Sequence, residues 1–145
     1  MLLSKSCTYA VRAALLISKK KIDSGRNYIP VSELAKELDI SFHFLTKILQ
    51  KLTESKIMNS FRGPNGGITL TRSPEKIKII EIVDAIDGMK LFESCIFGLP
   101  TCSDDHPCPL HKQWKLQRIE ILKLFKTNTI HDLTINDDEF NLSGK

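Results

Sequence analysis

Residues 31–52, VSELAKELDISFHFLTKILQKL, decide the fold because they hold two apolar helical patterns on either side of one corner. A first helix is predicted from Ser32, and a second from a cap at Ser41 to about Ser55. Asp39 lies in the corner, where aspartate tolerates a left-handed backbone better than most residues. The residues that share the inward-facing spacing are Leu34, Ala35, Leu38, Leu45, Ile48, Leu49 and Leu52. Two short helices joined this tightly predict a helix-turn-helix.

A β-hairpin is predicted directly after these helices. Residues 57–62 form one strand, GPNGG at 63–67 forms the turn, and residues 68–72 return with Ile68 and Leu70 facing inward. A helix-turn-helix followed by a glycine-rich hairpin is the order of elements in a winged helix. The alternative is an ordinary helical core with an incidental hairpin.

The remaining patterns complete a mainly α fold with one small β-hairpin. Ser4 is expected to cap a helix that runs to about Lys20, with Cys7 buried as a core residue on its apolar face. A shorter helix is expected over residues 80–87, ended by Gly88.

A long helix is predicted over residues 109–126. Its apolar residues form two stripes, Leu110, Trp114, Ile121, Leu122 and Phe125 on one and Leu116, Ile119 and Leu124 on the other. A helix that is apolar on two sides needs a packing partner on each side, and few elements of this chain remain to supply both. A second copy of the same helix is the economical cover, so we expect a homodimer.

These elements divide the chain into four parts. They are a winged helix-turn-helix DNA-binding domain over 1–88, a cysteine-rich sensor loop over 89–108, a dimerisation helix over 109–126, and a C-terminal segment over 127–145. The last ten residues, NDDEFNLSGK, are expected to be a frayed tail.

Charge is unevenly distributed along the chain. Residues 1–72 carry twelve Lys and Arg against five Asp and Glu, a net of +7, whereas residues 73–145 carry nine against twelve, a net of −3. A basic half that contains a winged helix indicates a polyanion partner, here double-stranded DNA. We find no apolar run long enough to cross a bilayer, no secretory signal and no catalytic constellation. We therefore expect a cytoplasmic DNA-binding protein that is not an enzyme and has no membrane partner.

Outward positions of the second helix and of the wing are the candidate DNA contacts. Thr46 and Gln50 are candidates for base edges, whereas Lys47 and Lys51 are candidates for phosphates. Arg62 lies at the glycine-rich turn, where a close backbone approach suits insertion into a narrow minor groove. The full set is Ser41, His43, Phe44, Thr46, Lys47, Gln50, Lys51, Arg62, Pro64 and Asn65.

The loop CIFGLPTCSDDHPCPLH gathers metal donors with the spacing Cys95-x6-Cys102-x5-Cys108-x2-His111. Thiols and imidazole are the donors that zinc and iron–sulfur clusters take. Zinc fingers pair their cysteines in C-x2-C knuckles, which this loop lacks, and its long gaps suit a larger cofactor. On these residues an iron–sulfur cluster, zinc and a bare thiol switch all remain open. The other polar groups of the loop are expected to face solvent: Asp104, Asp105 and His106.

Several stretches together resemble the Rrf2 family of bacterial winged-helix regulators, most closely its IscR-like branch. They are MLLSKSCTYAVRAALLIS, the helix-turn-helix, the wing SFRGPNGGITLTR, IIEIVDAIDG and CIFGLPTC…PCPLHKQW, and they span about residues 1–135. The resemblance implies a homodimeric repressor or activator in which the helix from Ser41 and the wing arginine, Arg62, contact DNA.

The resemblance also implies a 2Fe–2S cluster on Cys95, Cys102, Cys108 and His111. The first cysteine gap is six residues here, against the five typical of the IscR-like branch. Other members take a carboxylate ligand from the first helix, where this chain has Thr8, so His111 is the expected fourth ligand. We expect a transcription regulator that responds to the cluster or to the redox state of the loop. The alternatives are a regulator with zinc or bare thiols, and a small metalloprotein that does not bind DNA.

Overall fold

The computed structural model describes residues 2–136 and 141–143 of the 145-residue chain. The helices are α1 Lys5–Ser24, α2 Val31–Leu38, α3 Phe42–Glu54, α4 Ile79–Asp87, α5 Lys90–Glu93, α6 His111–Thr127 and α7 Ile130–Ile135. The strands are β1 Met58–Phe61 and β2 Gly67–Leu70, and Pro74–Lys76 forms one turn of 3-10 helix. The expected fold class, mainly α with a small hairpin, is confirmed. Within the described residues, no helix has both the length and the apolar character needed to span a membrane.

α2 and α3 form the predicted helix-turn-helix. Asp39 takes a φ of 56° and is the left-handed corner that ends α2. The Ser41 hydroxyl accepts a hydrogen bond from the Phe44 N–H at 3.1 Å and so caps α3. α2 begins one residue earlier than expected because Pro30 serves as its N-cap. All seven residues expected to face inward are buried, so this part of the prediction is confirmed.

α1 carries the predicted cap but is longer than expected. The Ser4 hydroxyl accepts a hydrogen bond from the Cys7 N–H at 3.0 Å. The helix continues to Ser24 because its stop is Gly25, which takes the left-handed conformation at a φ of 69°. Cys7 is fully buried in the core, as expected, and burial together with nearby Asp87 raises the pKa of its thiol to about 12.

The hairpin pairs β1 and β2 antiparallel, with Met58 opposite Leu70. Both strands are shorter than expected, and Gly67 belongs to β2 instead of the turn. Glycine is required there, because a Cβ at this position would lie 2.2 Å from the carbonyl oxygen of Ile29. Ile29 and Ile68 exchange two backbone hydrogen bonds of 3.0 and 2.9 Å. The loop after α1 is therefore joined to the hairpin.

α7 is a core element that the sequence did not predict. Ile130 is fully buried, and its N–H donates to the carbonyl oxygen of Ile77 at 2.9 Å. α7 also packs against α1. The expected frayed tail is wrong for Leu142, which is only 8% exposed and packs in the core. Residues 137–140, 144 and 145 of that tail lie outside the described residues.

α6 is an exposed helix whose two apolar stripes are covered unequally. It starts at His111, two residues later than expected, because the preceding prolyl–leucyl pair forms a turn. The first stripe is half-buried, and Phe125 lies edge-to-face on Phe92 of α5 at 6.1 Å. The second stripe is exposed at 63%, 51% and 56% for Leu116, Ile119 and Leu124.

Candidate nucleic-acid interface and metal centre

The solvent face of α3 carries six of the expected DNA contacts. The Thr46 hydroxyl donates to the Phe42 carbonyl oxygen at 2.7 Å, so it is left with its oxygen lone pairs as an acceptor. Lysine, amide and imidazole groups follow one another along the same side of the helix. The exposed residues are Ser41, His43, Thr46, Lys47, Gln50 and Lys51.

Phe44 is placed differently from the other candidates on α3. Its ring is half-buried and lies edge-to-face on Tyr9 of α1 at 6.0 Å, with the Lys5 ammonium 5.8 Å above it. The sequence spacing did not single out Phe42, yet this ring is 49% exposed and lies against the edge of His43 at 6.0 Å. The signal was available, because Phe42 lies off the buried stripe of the helix.

The wing presents a polar tip on an aromatic support. The turn is closed by the Gly66 N–H, which donates to the Gly63 carbonyl oxygen at 3.0 Å. Behind it, the rings of Tyr28 and Phe61 lie 5.4 Å apart and tie the loop after α1 to the hairpin. The sequence reasoning missed this pair. The exposed tip holds the expected contacts Arg62, Pro64 and Asn65.

The three loop cysteines converge in front of α6. Their sulfurs all lie within 4.8 Å of one another, and those of Cys95 and Cys108 are 3.7 Å apart. The chain reverses after Cys95 through Gly98, which has a φ of 69°. The Nδ1 of His111 lies 3.2 Å from the sulfur of Cys102. The four residues expected as ligands therefore lie together.

Backbone N–H groups polarise the cysteine sulfurs. Those of Leu99 and Phe97 point at Cys95 and, against the opposing effect of desolvation, lower its pKa to about 7. The Cys108 N–H donates to the Cys102 sulfur at 3.4 Å and favours the Cys102 thiolate. Desolvation and the two neighbouring sulfurs outweigh that bond and raise the pKa of Cys102. The lowered pKa favours the thiolate form of Cys95.

Asp104 is exposed, as expected, but its carboxylate also contacts two residues of α6. Its Oδ1 lies 2.8 Å from His111 Nε2, and both of its oxygens lie 2.9 Å from Lys115 Nζ. Hydrogen bonds from His111 and Lys115 lower the pKa of the Asp104 carboxyl to about 2. The two partners are one turn apart on α6, a spacing that could have predicted a shared carboxylate. Asp105 and His106 are exposed, as expected.

The other end of the cysteine loop is also fixed to α6. The indole N–H of Trp114 donates to the Ser94 carbonyl oxygen at 2.9 Å, and the Arg118 guanidinium donates to the same oxygen at 3.1 Å. Ser94 directly precedes Cys95. Sequence reasoning treated Trp114 as an apolar stripe residue and missed this anchor, whose signal is again a pair one helical turn apart.

Two of the donor separations are close to those of ligands on a tetrahedral metal. With metal–sulfur bonds of about 2.3 Å, two thiolates on one ion lie about 3.8 Å apart, and a thiolate lies about 3.6 Å from an imidazole nitrogen. The corresponding separations are 3.7 Å for Cys95 and Cys108, and 3.2 Å for Cys102 and His111. Sets of thiolates with imidazole suit both zinc and iron–sulfur clusters. The donor types therefore suit either group, and the two separations are close to those of donors on one metal ion.

Known proteins of similar sequence are transcription regulators. A family profile, Rrf2, described as an iron-dependent transcriptional regulator, matches residues 3–136. A relative from Aquifex aeolicus (strain VF5), named as an HTH-type transcriptional regulator, is 31% identical over 144 residues, which are 98% of this chain and 96% of that protein. The HTH-type transcriptional regulator IscR of Escherichia coli (strain K12 / DH10B) is 24% identical over 145 residues, which cover 100% of this chain and 87% of IscR.

Solved structures of similar shape confirm the winged-helix fold. The global cysteine regulator CymR of B. subtilis superposes with a TM-score of 0.77 at 21% identity, over 94% of this chain and 98% of CymR. IscR of T. potens superposes with a TM-score of 0.74 at 20% identity, over 94% of this chain and 88% of that protein. The family profile covers nearly the whole chain, and the resemblance seen in the motifs is confirmed. This chain belongs to the Rrf2 family of transcription regulators.

Proposed function

We propose that this chain is a homodimeric, cytoplasmic regulator whose affinity for a DNA operator is set by an iron–sulfur cluster. The observation that carries the proposal is the convergence of Cys95, Cys102, Cys108 and His111 at the start of α6, in a chain headed by a winged helix. In this proposal the winged helix binds DNA, α6 forms the dimer interface and the cysteine loop senses the signal.

DNA recognition is assigned to α3 and the wing. The exposed face of α3 offers hydroxyl, amide and ammonium groups, the chemistry that reads base edges and phosphates in a major groove. We propose Thr46 and Gln50 as contacts to base edges, and Lys47 and Lys51 as contacts to phosphates. Arg62, at the tip of the hairpin, suits a narrow minor groove. A two-fold dimer would bind a palindromic duplex with half-sites about 34 Å apart, or a multiple of that distance.

The dimer is assigned to α6 and the surface beside it. The exposed stripe of α6 continues into an apolar groove formed with α1 and α7, and the groove is lined in part by Leu3, Val11, Phe125 and Leu133. A two-fold axis next to α6 would place the same helix of a second copy against this surface. The stripe and the groove would then be covered together.

Signal transfer is assigned to the two anchors of the cysteine loop. Ser94 and Asp104 tie the loop to α6 on either side of its first two cysteines. A change in the ligation of the loop therefore acts on the helix that would set the spacing of the two DNA-binding heads. A coupling free energy of about 1–3 kcal/mol would change operator affinity about 5- to 150-fold.

The cofactor that we favour is a 2Fe–2S cluster. Three thiolates and His111 Nδ1, the ring nitrogen that faces Cys102, would hold it. When bound, such a cluster supplies a one-electron redox centre. The half-buried position of the four ligands would limit access of water while leaving small oxidants a path.

Anaerobic purification tests the cluster. We expect brown protein with nearly stoichiometric iron and sulfide, no cluster after alanine substitution of any loop cysteine, and a labile cluster in His111→Ala. Cys7→Ala is the matched control and should keep the cluster, because Cys7 lies in the core. Operator affinity is then compared between cluster-bound and cluster-free protein, on a duplex selected from a random pool. A colourless wild-type protein, or full iron content in Cys95→Ala, would refute the cluster assignment.

A bare thiol switch is the second candidate, favoured by the 3.7 Å separation of the Cys95 and Cys108 sulfurs. With a peroxide as the oxidant, the Cys95 thiolate would attack one peroxide oxygen, breaking the O–O bond and releasing hydroxide or an alkoxide, to leave a sulfenic acid on Cys95. The Cys108 thiol would then form a disulfide with release of water. This switch needs both cysteines but neither iron nor His111. A His111→Ala variant that responds to peroxide as wild type does would therefore favour it. Zinc on the same residues would instead give a colourless protein that contains the metal.

A further inference from the structure

The two ring nitrogens of His111 face different groups. Nδ1 lies 3.2 Å from the Cys102 sulfur, on the side where the three thiols meet. Nε2 lies 2.8 Å from Oδ1 of Asp104, on the opposite side of the ring. A neutral imidazole carries one proton, so the group that accepts from one nitrogen decides which nitrogen keeps a free lone pair.

Asp104 is held so that it can only accept. Both of its oxygens receive hydrogen bonds from the Lys115 ammonium at 2.9 Å, and Oδ1 also faces His111. A carboxylate beside an ammonium group is ionised at neutral pH and has no proton to donate. The proton of the neutral His111 ring is therefore drawn to Nε2, and Nδ1 is left as an acceptor.

We infer that Asp104 is a positioning residue that prepares His111 to bind metal through Nδ1, with Lys115 holding the carboxylate in place. The inference rests on the proposed metal centre and adds to it a carboxylate–histidine–metal chain, an arrangement that commonly fixes ring orientation in metal sites. The relevant spacing, Asp104-x6-His111-x3-Lys115, joins the loop to two successive turns of α6.

The chain offers a matched control one residue away. Asp105 has the same charge and lies in the same exposed loop, but it has no hydrogen bond or ion pair among the residues that the structure describes. Asp104→Ala and Asp105→Ala thus remove equal charge, while only the first removes the partner of His111. Asp104→Asn keeps an acceptor oxygen for His111, so it should behave more like wild type than Asp104→Ala does.

The first measurement uses metal-free, reduced protein labelled with ¹⁵N in histidine, at about pH 8, above the ordinary titration range of imidazole. In wild type and Asp105→Ala we expect the nitrogen shifts of His111 to show a protonated Nε2 and an unprotonated Nδ1. Asp104→Ala should give a mixture of the two tautomers, and Asp104→Asn should lie closer to wild type. Spectra of His111→Gln assign the signals among the four histidines.

The second measurement is an anaerobic titration with Co²⁺ alone, followed by its thiolate charge-transfer bands. Asp104→Ala should bind Co²⁺ about ten- to a hundredfold more weakly than wild type, the usual loss when such a partner is removed. Asp105→Ala should bind as wild type does. Wild-type tautomer and Co²⁺ affinity in Asp104→Ala, or unchanged affinity in His111→Ala, would overturn the inference. Failure of wild-type protein to assemble a cluster would overturn the proposed function alone, because neither measurement uses one.

Discussion

Replacing Gly67 with alanine should break the joint between the wing and the loop after α1. The added Cβ would lie 2.2 Å from the carbonyl oxygen of Ile29, 2.4 Å from its carbonyl carbon and 2.8 Å from the nitrogen of Pro30. All three atoms are backbone, so no side chain can rotate to make room. The φ of +156° at Gly67 is also one that residues with a Cβ rarely adopt.

The loss in free energy of unfolding follows from this geometry. Separating the segments breaks the two backbone hydrogen bonds between Ile29 and Ile68, which contribute about 1 kcal/mol each. Backbone strain adds about 1–2 kcal/mol, so we expect Gly67→Ala to cost about 3–4 kcal/mol in all. Gly25→Ala is the control: it also has a positive φ, of 69°, but its Cβ would meet nothing within 4 Å. Strain alone should cost about 1–2 kcal/mol there.

Urea unfolding followed by far-ultraviolet circular dichroism measures both variants against wild type. DNA affinity gives a second reading, because displacement of the wing in Gly67→Ala should weaken operator binding while Gly25→Ala should leave it unchanged. Equal stability of the two variants would refute the clash with Ile29. Unchanged operator affinity in a destabilised Gly67→Ala would show that the wing is not part of the recognition surface.

Three further predictions concern the dimer, the DNA contacts and acid stability. Leu116→Glu combined with Ile119→Glu should give folded monomers by light scattering, because both side chains are exposed in the protomer; a persistent dimer would place the interface elsewhere. Arg62→Ala should change preference at A·T-rich positions, whereas Lys47→Ala should weaken binding to all sequences and reduce the log–log salt slope by about one unit; equal slopes would remove Lys47 from the phosphate contacts. Hydrogen bonds from Arg26 and Lys20 lower the pKa of Glu33 to about 2. Ionised Glu33 therefore stabilises the fold fully at pH values above its ordinary pKa of 4.5, and this stabilisation is lost as the pH falls toward 2. Urea midpoints measured across that range should fall less in Glu33→Gln than in wild type.

The sequence predicts the helix-turn-helix well because its determinants are local. The caps at Ser4 and Ser41, the corner at Asp39 and the alternation in the hairpin depend on residues only a few positions apart. The short α7 was missed because its six residues show too little periodicity, and its place depends on contact with α1. The expected end of α1, at about Lys20, lies four residues before the observed end at Ser24, where Gly25 stops the helix.

The sequence predicts the four residues that lie together at the candidate metal centre, but it does not predict the contacts that hold them there. The cysteine spacing and the CxxH pattern indicate the donors Cys95, Cys102, Cys108 and His111. The bonds of Ser94 to Trp114 and Arg118 span 20 and 24 residues and exist only once the loop has folded back on α6. Helix and strand periodicity in the sequence does not predict such contacts between distant residues.

The bond between Trp114 and the Ser94 carbonyl gives the protein a built-in optical reporter. Trp114 is the one tryptophan in the chain, and its indole N–H is bound to the residue that precedes Cys95. If the loop leaves α6, the indole loses this partner and meets water, so its fluorescence emission shifts to the red. A coloured group on the neighbouring sulfurs would quench the same emission by energy transfer. Fluorescence of unlabelled protein can therefore follow both the release of the loop and the filling of the site in real time.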